Sequence, residues 1–342
     1  MFKGKKILIT GGTGSLGHAL TKRLLNTDAA TIRILSRNEH NQIKMESNFK
    51  DDRLRFLLGD VRDSDRLSRA MEDVDLVFHT AALKHVPKIE YNPFEGIKTN
   101  VVGSQNVIDA CVQQNVEKVV AISTDKATSP LNVYGATKAL MEKLFVAANT
   151  FSTPEKHRTK FITVRYGNVL GSSGSVVPIF IDQIKNKKKV TITDPQMTRF
   201  SITMDEALEF ILKATEIGQG SEIFIPKMKA YSIMDIKNVL VELLGDTGNE
   251  TIGFRVGEKM HEILINRDEI RYGWEIDDMY MISNPIFSDE TIKAKYPGIR
   301  PIENIGEYSS DHVENIGEYS SDHVEKIPHD KLKDTIQKLN II

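Results

Sequence analysis

Lys6-Ile7-Leu8-Ile9-Thr10-Gly11-Gly12-Thr13-Gly14-Ser15-Leu16-Gly17 stands near the start of the chain. Ile7 to Thr10 is a short, nearly continuous apolar and β-branched run, as a strand buried on both faces requires. Glycines at 11, 14 and 17 follow, and Ala19, Leu20, Leu24 and Leu25 then mark the apolar side of a helix. Such glycines permit a tight turn, a close approach of backbone to a pyrophosphate, and close packing of helix on strand. The helix N-terminus adds free N–H groups that suit phosphate. Thr10, Thr13, Ser15 and Leu16 belong to the same expected dinucleotide contact set.

Working outward, further Val- and Ile-rich runs alternate with longer amphipathic segments: Thr31 to Leu35, Leu54 to Leu58, Leu76 to His79, Val119 to Ser123 and Phe161 to Arg165. This alternation predicts an α/β protein with a doubly wound parallel (Rossmann) sheet. After Gly171 the pattern loosens into helices near Asp205 to Glu216 and Ile233 to Leu244 and a strand at Ile223 to Ile225. These predict a smaller interleaved α/β substrate domain. The expected division is 1–170 with about 201–225 for the cofactor domain, 171–200 with 226–300 for the substrate domain, and 301–342 as a tail. Within the tail, ENIGEYSSDHV at 303–313 is repeated without change at 314–324. Two copies of so short a unit do not build a solenoid, so the duplication reads as tolerated in an exposed tail. Lys331 to Ile342 reads as one amphipathic helix.

The 342 residues are 40% hydrophobic and 27% charged, within the range of a chain that buries a large core. A formal net charge of -2 provides no field for a nucleic-acid backbone, so nucleic acid is not an expected partner. The lysines at 185, 187, 188 and 189 read as a solvated helix end. Cys111 is the single cysteine, set among apolar residues, which excludes an internal disulfide and a cysteine zinc site. No metal site is expected, since the nine histidines lack ligand spacing. No apolar run approaches the roughly 20 residues that span a bilayer, so membrane insertion is not expected and a cytoplasmic protein is.

At the end of the second strand, where an acidic residue would hold the ribose of NAD, stand Ser36, Arg37 and Asn38. An arginine beside a small hydroxyl suits a 2′-phosphate, so NADP is the expected cofactor. Asp60 after the third strand is placed for the adenine amino group, and Ala81 and Ala82 after the fourth can pack near the cofactor. Beyond the fifth strand come Ser123, Thr124, Asp125 and Lys126, and a short loop later Tyr134 and Lys138 share one helix face. An ammonium beside a phenol would lower the phenol pKa from about 10, letting the pair take a proton from a sugar hydroxyl as hydride leaves its carbon.

The TGGTGSLG, STDK and YGATK segments, in this order and spacing, resemble the extended short-chain dehydrogenase/reductase family over about residues 1 to 300. Retaining dehydratases of that family carry Asp-Glu after the threonine. Asp125-Lys126 resembles instead the inverting branch that acts on UDP-N-acetylglucosamine, as in bacterial capsular-polysaccharide dehydratases. LKHVP around Lys84, RYGNVLGSSGSVVP from Arg165, PQMTRF around Arg199 and RVGEKMHE from Arg255 agree with it. The resemblance implies cofactor contacts at Val61, Lys84, Asn100 and Ser123, besides Tyr134 and Lys138. It implies substrate contacts at Lys84, His85, Asn168, Ser173, Val176, Val177, Arg199, Arg255 and Glu258. A UDP-sugar substrate and a homo-oligomer, dimer or hexamer, follow from the same resemblance.

The implied cycle has Tyr134 take the C4 hydroxyl proton with Thr124 bonded to the same oxygen. A neutral Lys126 then removes the C5 proton, while a protonated Asp125 gives its proton to the departing C6 hydroxyl. A sugar-nucleotide 4-epimerase would share Tyr134 and Lys138 but release no water. A regulatory protein that senses NADP without turnover would need the glycines and none of the acid–base groups.

Overall fold

The computed structural model describes residues 1–151, 158–172, 174–303, 305, 317–339 and 341. Strands β1 (Lys6–Thr10), β2 (Thr31–Ser36), β3 (Leu54–Leu58), β4 (Leu76–His79), β5 (Lys118–Ile122) and β6 (Lys160–Val164) coincide with the apolar runs read from the sequence. They pair in parallel in the order β3-β2-β1-β4-β5-β6. The order reverses between β1 and β4, which places a ligand crevice beyond their carboxyl ends.

Shorter strands follow: β7 (Asn168–Val169), β8 (Val190–Ile192), β9 (Thr198–Ile202), β10 (Ile223–Pro226), β11 (Lys229–Ser232) and β12 (Asn249–Thr251). Last come β13 (Ile263–Ile265), β14 (Gly273–Ile276), β15 (Met279–Ile282), β16 (Arg300–Pro301) and β17 (Tyr319–Ser320). β10 lies parallel beside β6, and β15, β14 and β16 continue the same sheet antiparallel, for ten strands in all. Residues 273–300, expected in the substrate region, and Pro301 of the expected tail thus lengthen the central sheet. The hairpin at Asp277 and Asp278, with Asp277 at φ 51°, lacks the Asn-Gly or Asp-Gly turn by which such a strand pair is recognised.

Helices cover both faces of the sheet. Leu20 and Leu24 of helix Ser15–Leu25 pack with Ala207, Ile211 and Ala214 of helix Met204–Ile217 on one side. Val107 and Cys111 pack with Met141 and Phe145 of helix Val133–Phe151 on the other. A third core holds Phe180 and Ile184 of helix Val176–Lys185, Ile236 and Leu240 of helix Ile233–Leu244, and Leu332 and Ile336 of helix His329–Lys338. The C-terminal helix is thereby docked on the substrate region. No described helix is long and apolar enough to cross a membrane.

The reading of the duplication as part of an exposed tail is corrected for its second copy. Tyr319–Ser320 pairs with β13, and the buried Tyr319 hydroxyl donates to the Met228 carbonyl at 3.0 Å and accepts from its N–H at 2.6 Å. Ser321 Oγ accepts from the Glu262 N–H at 2.9 Å. One aromatic and two hydroxyls anchor this segment through backbone hydrogen bonds, a pattern that apolar periodicity does not register. Residues 304 and 306–316, most of the first copy and the start of the second, lie outside the described residues.

Candidate active site

The turn after β1 is built around contacts that a side chain would block. Gly11 has φ 67°, and a Cβ there would come within 2.7 Å of Ala81 Cα; at Gly17 it would lie 2.5 Å from Gly12 Cα. The backbone of the turn therefore abuts both Ala81 and the helix start. Gly14 caps helix Ser15–Leu25 without a side-chain bond, so its first N–H groups stay available to an anion. This is a cradle for a nicotinamide dinucleotide, and Ser15, Leu16 and Ala82 line the cleft above it. Thr10 is fully buried behind the cradle, with Oγ1 2.8 Å from His79 Nδ1. Thr13 and Gly14 lie on the turn between Gly11 and the helix.

At the carboxyl end of β2, Ser36 Oγ accepts from Gln42 Nε2 at 3.0 Å and Asn38 caps the next helix through Asn41 N–H at 2.9 Å. Both side chains are engaged within the protein. Arg37, 52% exposed, reaches Asp60 at 3.5 Å, and Arg62 holds the same carboxylate at 2.6 Å. Burial pushes the Asp60 carboxyl up, but the hydrogen bonds from Arg62 outweigh it and hold the group below its ordinary value. Val61 is buried against Gly103, and Asn100 is buried with Oδ1 accepting from Leu83 N–H at 2.8 Å and Nδ2 donating to the Leu83 carbonyl at 2.9 Å. The side chains of these two are used in packing and in holding the loop after β4.

The catalytic candidates meet where β5 ends. Thr124 caps a single 3-10 turn, Asp125–Ala127, and its hydroxyl donates to Asp125 Oδ1 at 2.7 Å. Lys126 Nζ donates to Asp125 Oδ1 at 3.1 Å and Asn168 Oδ1 at 3.3 Å, and lies 3.4 Å from Glu262 Oε1. Tyr134 and Gly135 open the next helix against this turn; a Cβ on Gly135 would sit 2.2 Å from the Lys126 carbonyl. Ser123 and Lys138 line the same cleft.

The electrostatics of the site bear on two expectations. Burial pushes the Tyr134 phenol up to about 12, with the Lys126 ammonium and a hydrogen bond with Thr124 pulling down and Asp125 pushing up. The cation that faces the phenol in the free site is thus Lys126. Lys138 instead donates to the Ile122 carbonyl at 2.5 Å and Met141 Sδ at 2.9 Å, and burial brings it down to about 8 against the opposing pull of Glu142. A neutral Lys126 is not the resting state either: burial opposes its charge, but Asp125 and then Glu262 outweigh burial and raise it above its ordinary value.

On the substrate side, Lys84, His85, Asn168, Val176, Arg199, Arg255 and Glu258 line one cleft of about 510 Å³ with the groups above. That volume is in the range of a small-molecule site. Arg199 is nearly buried, donating to the Thr198 and Met260 carbonyls and facing Glu258 at 3.5 Å and Glu262 at 3.8 Å. Glu258 Oε2 accepts from the Arg255 N–H at 3.2 Å. Val177 is corrected: it is fully buried in the third core, because adjacent residues of a helix point about 100° apart and Val176 takes the cleft side. Ser173 lies outside the described residues. Sequence reasoning missed Glu262 and Tyr231 as cleft residues. It placed Ser175 only within a stretch expected to line the nucleotide, where its buried Oγ has no partner at the start of helix Val176–Lys185. Among the described residues no His, Cys, Asp and Glu group could hold a metal ion.

Known proteins resemble this chain over most of its length. Residues 7–284 match the family described as polysaccharide biosynthesis protein. A protein of Campylobacter jejuni serotype O:23/36 named UDP-N-acetylglucosamine 4,6-dehydratase (inverting) is 48% identical over 91% of this chain and 94% of its own. One from Rickettsia massiliae named UDP-glucose 4-epimerase is 41% identical over 91% and 92%. The X-ray structure of Pen from Bacillus thuringiensis superimposes with a TM-score of 0.89 at 38% identity, covering both chains in full. Sheet order, glycine cradle and the Thr124–Lys126 turn beside Tyr134 thus occur in a chain that belongs to the polysaccharide biosynthesis family, as an extended short-chain dehydrogenase/reductase of the dehydratase type.

Proposed function

We propose that the protein is a UDP-N-acetylglucosamine 4,6-dehydratase that inverts C5 and supplies a surface-polysaccharide precursor, such as one for a capsule. The observation that carries the reading is Lys126, which lines the cleft together with Tyr134 and contacts the buried Asp125 behind it at 3.1 Å. An oxidoreductase of the sugar hydroxyl alone would need Tyr134 and the dinucleotide; an adjacent acid and amine serve elimination of water. Bound NADP would supply the acceptor for the C4 hydride and return a hydride to C6. Tyr134 takes the C4 hydroxyl proton with Thr124 at the same oxygen, Lys126 removes the C5 proton, and Asp125 protonates the departing C6 hydroxyl. Ser175, Arg199 and Arg255 would hold the diphosphate side. The 4-epimerase reading is supported by the Rickettsia relative and shares all but the elimination. Incubation with UDP-N-acetylglucosamine should give an L-configured 4-keto-6-deoxy sugar by NMR; an unreduced C6 hydroxyl in the product would favour epimerisation.

NADP is our reading of the cofactor because Arg37, half exposed after β2, has only a 3.5 Å contact with Asp60, whose carboxylate Arg62 holds more closely at 2.6 Å, so its guanidinium can turn to a 2′-phosphate. Arg37→Asp should weaken NADP binding about 10- to 100-fold, the worth of a charge-assisted hydrogen bond, while sparing NAD. Equal loss of both in a titration by calorimetry would remove the assignment. Assembly into a homo-oligomer is supported by exposed Tyr91, Phe94, Leu131 and Leu140 on and beside neighbouring helices. A cytoplasmic setting is supported by the single, buried Cys111 thiol.

A further inference from the structure

We propose that Glu262 takes the ammonium proton of Lys126 and so converts that lysine into the neutral base that removal of the C5 proton requires. The inference rests on the dehydratase reading above and deepens it. An ammonium has no lone pair, and Asp125 and Glu262 together keep Lys126 charged in the free site. Its proton must therefore pass to a neighbour before the lysine can act on C5.

Few groups facing Lys126 can receive it. Arg199 and Lys259 are cations, Tyr134 and Tyr231 are phenols pushed up by burial, and Asn168 offers only a neutral amide. The carboxylates of Asp125 and Glu262 remain. Asp125 is committed elsewhere: Thr124 hydrogen-bonds Tyr134 and donates to Asp125 Oδ1 at 2.7 Å. A proton leaving the C4 hydroxyl can enter at Tyr134, displace the phenol proton to Thr124 and the Thr124 proton to Asp125. Asp125 then holds the proton it must give to the C6 hydroxyl.

Glu262 is free to act. It is 3% exposed, its Oε1 lies 3.4 Å from Lys126 Nζ, and its Oε2 is buried with no hydrogen-bond partner. An orphaned buried carboxylate oxygen is costly unless a proton or a ligand meets it. The backbone of Glu262 is held by Ser321 Oγ at 2.9 Å, so the side chain stands on a fixed base.

The protons balance. The C4 hydroxyl proton reaches Asp125, and the Lys126 proton moves to Glu262. Lys126 takes the C5 proton, the C5–H electron pair becomes the C5=C6 double bond, and the C6 hydroxyl leaves as water with the proton from Asp125. Glu262 gives up its proton again as C5 is reprotonated and hydride returns to C6, so all three groups end as they began.

Glu262 acts through Lys126 and is in that sense a positioning residue, so the test separates steps. Glu262→Gln keeps shape and removes the acceptor. In single turnovers with UDP-N-acetylglucosamine, reduction of the cofactor should fall less than about tenfold, while C5 deuterium exchange and water loss should fall at least about 100-fold. Glu262→Asp should recover about tenfold or more over the glutamine variant, since a carboxylate is restored. With one anion removed, Lys126 should titrate at lower pH by NMR of its side chain. C5 exchange by Glu262→Gln should then rise with pH where wild type is flat. Normal dehydration by Glu262→Gln, a parallel loss of oxidation and exchange, or an aspartate variant no better than glutamine would each overturn the role. If wild type itself releases no water, the dehydratase reading falls with it; wild-type dehydration beside an unaffected Glu262→Gln sinks Glu262 alone.

Discussion

Lys126→Ala is expected to halt the reaction after oxidation at C4, with reduced cofactor and a trapped 4-keto sugar accumulating. Tyr134, Thr124 and Asp125 remain, so the first proton transfer keeps its route. Removal of a general base typically costs about 10²- to 10⁴-fold, so overall turnover should fall at least about 100-fold while the initial hydride transfer falls less. Solvent deuterium provides an independent readout: wild type should place deuterium at C5 of an L-configured product, and the variant should exchange the C5 hydrogen slowly or not at all. Near-normal dehydration by the variant, or a wild-type product that keeps its D configuration, would end the assignment of Lys126. Because the ammonium also separates two buried carboxylates, Lys126→Met is the companion variant, filling the space with an unbranched apolar chain.

The parts of this site that lie close together along the chain were legible before any coordinates. The glycine turn follows its strand directly, and Thr124 to Lys126 precede Tyr134 by one loop, so local pattern and spacing carried both. The partners that the fold brings from afar were not. Glu262 reaches Lys126 from the segment before β13, and its backbone is held by Ser321 from a repeat that reads as a polar tail. A helix-face argument put Lys138 next to Tyr134, yet the cation there is Lys126, because Lys138 turns toward the Ile122 carbonyl at the end of β5. Spacing of four fixes a shared face and not the depth at which each side chain ends. The side-chain partners of Asn100 and Val61, brought by the loop after β4, by Thr137 and by Gly103, were likewise not legible from spacing. Protonation states were least legible, since they depend on burial and on charges contributed by several elements at once.

Arg165→Met should be the most destabilising single change in the molecule's support of this site. Arg165 stands at the end of β6, fully buried, and all of its N–H donors are used. Nε and Nη2 hold Glu142 at 2.9 and 2.6 Å, Nη1 and Nη2 hold Glu269 at 2.9 and 2.7 Å, and Nη1 also donates to the Leu264 carbonyl at 2.8 Å. Glu142 belongs to the helix that carries Tyr134 and Lys138, and Glu269 to helix Arg267–Ile270, so one guanidinium ties the catalytic helix to the segment leading from β13. Burial pushes the Glu269 carboxyl up, and Arg165 outweighs burial and keeps it ionised. Removing the cation leaves two carboxylates without it in a site of low polarity. Breaking a buried pair in this way costs about 3–5 kcal/mol, which a urea titration would read as a lower midpoint. Such a loss stems from stranded charge and not from the net worth of the pair, so neutralising the partners should repair it. Arg165→Met combined with Glu142→Gln and Glu269→Gln is therefore expected to recover most of the midpoint. A single variant within about 1 kcal/mol of wild type, or a triple variant no better than the single, would show that Arg165 is not the tie between these helices.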